Sequence, residues 1–72
     1  MTTILELRDL ALVSLRRALA SSIRSQDFET IGVAKACIAF LTAAEGDKEI
    51  SACIKLARDL LAAWDERIRA TV

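Results

Sequence analysis

From Ile31 to Ala44 the chain carries one charged residue, Lys35, and apolar side chains reach every sector of the helix this segment would form. A helix that is apolar all round needs neighbours on all sides. Within it Gly32, Ala36, Ala39 and Ala43 recur at spacings of four, three and four, which places them in one stripe. Val33, Cys37 and Phe40 form one shoulder of that stripe, and Ile31, Ile38 and Leu41 form the other. Small residues let a second helix axis come near, toward the lower end of the usual range of about 8–10 Å.

The rest of the chain is also helical in pattern. It contains no proline and two glycines, and its apolar residues recur at helical rather than alternating spacing. Thr3-Ile4-Leu5-Glu6 is a capping box, in which the Thr hydroxyl accepts from the backbone of Glu6 while the Glu carboxylate reaches back. The polar cluster from Ser21 to Asp27 ends this first helix, with Ser25 or Asp27 placed to cap the next. Gly46 is expected to close the second helix with a positive φ, and Asp47 to cap the third. These signals predict helices over about 3–24, 27–45 and 48–70, joined by tight turns into an all-α, up-down-up three-helix bundle. The expected organisation is a single helical domain over residues 1–72.

A bundle of 72 residues has two helices with which to cover the three apolar sectors of the middle one. A core of this size supplies roughly 3–5 kcal/mol unless a partner chain, metal or disulfide assists. The chain is therefore expected to self-associate as a homodimer or larger helical assembly, with Gly32, Ala36, Ala39, Phe40 and Ala43 at the interface.

On the first helix Leu10 and Val13 lie outside the apolar face, among Glu6, Arg17 and Arg24. Apolar anchors inside a charged rim suit a protein-binding patch, so Leu10, Val13, Arg17 and Arg24 are the candidate partner-binding residues. Arg8 falls within the apolar face of this helix, which runs from Ile4 to Ile23, between Leu5, Leu12, Leu15 and Leu19. It either extends past the end of the bundle to water or pairs with a carboxylate, Glu45 being at the matching height, and a ligand contact is the third possibility. On the third helix Ile50, Cys53, Ile54, Ala57, Leu60, Leu61, Trp64 and Ile68 share a dry face; Lys55 with Asp59 and Asp65 with Arg69 stand one turn apart on the wet one.

Several chemistries have no residues to support them. Histidine is absent, which removes the commonest general base and metal ligand. Cys37 and Cys53 are too far apart in sequence for a Cys-x-x-Cys site. At matching heights on neighbouring helices they could bridge or remain two reduced apolar thiols. No glycine-rich phosphate loop occurs. No catalytic residue, cofactor or metal is expected, and the one enzyme-like feature is Arg8.

Ten basic residues balance ten acidic ones, whereas phosphate-neutralising proteins carry an excess of Lys and Arg. The longest uncharged run, Ala36 to Ala44, is nine residues, against the roughly 20 of a membrane-spanning helix. The first residues have no signal-peptide pattern, so a cytoplasmic location is expected.

The functional expectation is a non-enzymatic protein-interaction module that binds itself and a further protein. Adaptors, small chaperones and the short inhibitors or regulators of phages and mobile elements have this size and shape. The alternative is a dimeric nucleic-acid-binding regulator that uses the face of Arg16, Arg17 and Arg24.

Overall fold

The structure is a computed structural model that describes residues 2–71. It is all-helical: α1 spans Ile4–Ser25, α2 Phe28–Ala43 and α3 Asp47–Thr71. Each helix packs on the other two. Leu7 of α1 lies beside Ile54 and Arg58 of α3, and Arg67 near the end of α3 reaches Asp27 and Thr30 at the start of α2. The bundle is thus up-down-up, as its short connections require.

The helix ends follow local chemistry. Thr3 Oγ1 accepts the Glu6 N–H at 3.2 Å. The reciprocal half of the expected capping box does not form among the described residues: the Glu6 carboxylate remains at the surface. At the other end of α1 the Gln26 N–H reaches the Ile23 carbonyl at 3.3 Å and the Asp27 N–H reaches that of Ser22 at 2.9 Å. This is a Schellman closure, and it places Gln26 in the left-handed region, at φ 58° and ψ 34°. Asp27, not Ser25, then caps α2 by accepting the Thr30 N–H at 3.3 Å.

The second connection corrects the expectation for Gly46. α2 ends at Ala43, and Ala44 is already extended, at φ −63° and ψ 133°. Gly46, at φ 81°, belongs to the start of α3, where its carbonyl accepts the Ile50 N–H at 3.1 Å. Asp47 is the first residue of α3 instead of its cap, and its charge suits the positive end of the helix dipole. The Glu49 carboxylate holds the turn by accepting the Glu45 N–H at 3.1 Å.

The core is small. Leu15, Leu41, Ile50, Ile54 and Ala57 form its buried cluster, flanked by Leu7, Leu12, Cys37, Ile38, Leu60 and Leu61. Ala18 and Ala34 are also buried, where they let the helices approach one another. The dry face of α3 holds over Ile50, Ile54 and Ala57, but its last member, Ile68, is 39% exposed. Opposite the end of α3 the facing surface of α1 is Ser21 and Ser25, too short to cover Trp64 and Ile68, so a shallow groove remains there. Leu5 and Ile23, expected on the apolar face of α1, are likewise exposed. Burial on α1 is centred on Leu15, Ala18 and Ser22, and the two neighbouring helices do not cover both edges of so broad a face.

Candidate functional site

α2 turns Thr30, Ala34 and Leu41 into the bundle. At about 100° per residue, this fixes what points away. Gly32, Ala36, Ala39 and Ala43 all lie on the exposed side, in a line along the outer surface. Of the first shoulder read from the sequence, Val33 and Phe40 flank the stripe at the surface while Cys37 is half-buried against the core; of the second, Leu41 is buried and Ile31 and Ile38 are half-buried.

Two large residues that sequence reasoning missed extend this surface. Phe28 is 75% exposed and Leu56 of α3 is 58% exposed, comparable with Phe40 at 64%. Phe28 is one turn before Gly32, so the helical spacing that defines the stripe could have found it. Leu56 lies between Ala52 and Ala63 on a sector of α3 that belongs to neither its dry nor its charged face. Phe40, Ala43, Ala52, Cys53 and Leu56 line an apolar groove of about 450 Å³ between α2 and α3, with Glu49 at its edge.

Gly32 is informative here. It has no positive φ, and a Cβ built on it meets nothing within 4 Å. Glycine inside a helix costs about 1 kcal/mol relative to alanine. Nothing within the subunit requires that cost.

The second exposed apolar site is on α1. Leu10 is 62% and Val13 45% exposed, and together with Glu6 and Asp9 they line a shallow groove of about 330 Å³. The rim therefore differs from the expected one. Arg17 is one turn beyond Val13, but Arg24 lies in the last turn of α1, about 21 Å along the axis from Leu10, and does not share its surroundings. Acidic residues flank the patch toward the start of the helix and Arg16 and Arg17 toward its end; all four are exposed.

Arg8 is half-buried, and its Nε lies 3.7 Å from Asp9 Oδ1 without forming a hydrogen bond. Of the alternatives that the sequence left open for Arg8, the pair with Glu45 is not formed among the described residues. Asp65 and Arg69 do pair, at 3.0 Å, whereas Lys55 and Asp59 do not.

The best-connected polar cluster joins α2 to α3. Thr30, 2% exposed, donates its hydroxyl to Asp27 Oδ2 at 2.6 Å and accepts from Arg67 Nη1 at 3.1 Å. Arg67 Nη2 donates to Asp27 Oδ1 at 3.3 Å. The Thr30 hydroxyl is the main influence holding the Asp27 carboxyl below its ordinary pKa; partial burial opposes it, and the Thr30 N–H and Arg67 assist. The sequence marked Asp27 as a cap but offered no signal for Arg67. This cluster ties two helices together and uses its donors and acceptors in doing so.

Cys37 and Cys53 are both free and half-buried. Burial raises the Cys37 pKa, and the neighbouring Cys53 adds to the effect, so the thiol is not activated as a nucleophile. Among the described residues no group of three His, Cys, Asp or Glu side chains is placed to hold a metal ion, and no helix is long and apolar enough to cross a membrane.

The fold and its surfaces define a small all-α bundle with apolar faces left on the outside. Comparison with protein-family profiles, curated proteins and solved structures finds no match to this chain.

Proposed function

We propose that this chain is a protein-interaction module that acts by binding, not catalysis, and that it self-associates through the outward face of α2. The observation that carries this reading is the exposed line of Gly32, Ala36, Ala39 and Ala43, bordered by Phe28, Phe40 and Leu56. Contiguous apolar surface of this kind marks interaction sites, and a helix-interior glycine without an internal neighbour fits close approach by another helix.

An adaptor, chaperone-like protein, inhibitor or regulator would use such a module, holding one copy on another and leaving the remaining faces for a further protein.

The test is absolute mass by light scattering over an approximately hundredfold dilution, for the wild type and for Ala39→Glu. The reading expects a dimer or larger species that the buried carboxylate disrupts. A wild type that is monomeric throughout, or an assembly indifferent to Ala39→Glu, would remove α2 from the interface.

A further inference from the structure

The outward stripe of α1 carries a charge pattern that is its own complement. Glu6, Leu10, Val13 and Arg17 follow one another at spacings of four, three and four, so they lie in a single line along the helix. All four are exposed, and among the described residues no ion pair engages Glu6, Arg16 or Arg17. The line therefore reads acidic, apolar, apolar, basic from the start of α1 toward its end. Asp9 and Arg16 repeat the order on one flank of it.

We infer that this stripe is a second self-association surface, on which α1 of one copy packs antiparallel to α1 of another about a twofold axis. A twofold perpendicular to the helices reverses the order of residues. The register that lays Leu10 on Val13 of the second copy is centred between Ala11 and Leu12, and Glu6 and Arg17 share that centre. The same operation thus seats Leu10 against Val13 and Glu6 against Arg17, each contact occurring twice. Asp9 and Arg16 lie on the same side of the stripe, and the twofold keeps that side facing itself, so they pair across the seam within one turn.

Orientation follows from the charges. A parallel pairing in register would set Glu6 on Glu6 and Arg17 on Arg17, with like charges facing at both ends. A foreign partner would have to reproduce this acidic-to-basic order in reverse, which a second copy presents by symmetry. The apolar centre is small, so charge here sets register and orientation more than it adds affinity. Together with the α2 face, this surface gives each chain two distinct self-contacts, which carry assembly beyond a dimer: a closed dimer of dimers where the two twofold axes cross at right angles, an open chain of dimers otherwise.

The inference extends the self-association reading to another helix, and the two are separable by experiment. Light scattering would follow the single variants Glu6→Arg and Arg17→Glu, the double variant carrying both changes, and an equimolar mixture of the singles. Each single variant should weaken the α1 contact about a hundredfold, with unchanged helicity by circular dichroism. The double variant restores opposite charges at both ends and should recover the wild-type mass; the mixture should recover it as a hetero-assembly. Singles that keep the wild-type mass, or a double variant and mixture that both stay dissociated, overturn the α1 contact. Repeating the series on Ala39→Glu separates the faces. Charge-dependent dimers that persist there support α1 whatever the fate of the α2 reading, and a charge-independent mass there overturns it.

Discussion

Arg67 and Asp27 stand forty residues apart in sequence and meet at 3.3 Å, joining the last turns of α3 to the first residue before α2. Thr30 makes the contact a three-way one, since its hydroxyl donates to the carboxylate and accepts from the guanidinium. Thr30→Val keeps the shape of the side chain and removes both bonds. Because Thr30 is buried, thermal or urea unfolding should show a loss of about 1–2 kcal/mol, and unchanged stability would mean that the cluster forms without contributing.

The same cluster fixes the sign of an acid effect. The Asp27 pKa is lowered in the folded state, first by the Thr30 hydroxyl. A carboxyl with a depressed folded pKa binds its proton more readily when unfolded, so its contribution is fully present above the unfolded value of about 3.9 and is lost as pH falls through the folded value. Denaturant melts should therefore be insensitive to this group between pH 7 and about 5 and should lose its contribution below about 4. In Thr30→Val the acid loss traceable to Asp27→Asn should shrink.

Gln26 occupies a left-handed conformation, at φ 58°, which costs a side chain with a Cβ roughly 1–2 kcal/mol and glycine very little. Gln26→Gly gives part of this back as entropy in the unfolded chain. A net gain of about 0.5–1 kcal/mol is expected, read as a rise in Tm of several degrees. A fall in Tm would show that the Gln26 side chain itself holds the α1–α2 turn.

Arg8 has a buried Nε without a hydrogen bond and a loose contact with Asp9 at 3.7 Å. Arg8→Met keeps a long apolar stem beside the core and removes the unsatisfied donor. Stability should rise by up to about 1 kcal/mol, and the mass in solution should not change. A loss of stability would instead favour a paired guanidinium, one of the alternatives that the sequence left open.

The helices were legible because capping residues and helical spacing act locally. Thr3, Asp27 and the polar cluster after Ser21 mark their boundaries within a residue or two of where they fall. The turn at Gly46 was misread because its positive φ can serve the end of one helix or the start of the next, and Ala44, with no sequence signal, leaves the helix first. The exposure of Leu10 and Val13 followed from their angular position alone. Leu5, Ile23 and Ile68 looked apolar-facing on a helical wheel, but their exposure depends on where neighbouring helices stop, which is a tertiary property. Arg67 was illegible for the same reason, since its partners are fixed only once α3 lies beside the start of α2.

Gly32 separates packing within the subunit from packing between subunits. A methyl group there meets nothing within 4 Å in the chain itself, and alanine favours the helix by about 1 kcal/mol. In the dissociated Ala39→Glu background, Gly32→Ala should therefore raise Tm by several degrees. In the wild-type background the same methyl falls where the proposed second helix comes closest, so the assembly should weaken even as the subunit strengthens. Thermal melting of the dissociated variant reads the first effect, and dilution followed by light scattering reads the second. Opposite signs in the two measurements place a helix over Gly32. Equal stabilisation in both leaves the glycine uncovered and moves the self-contact to α1.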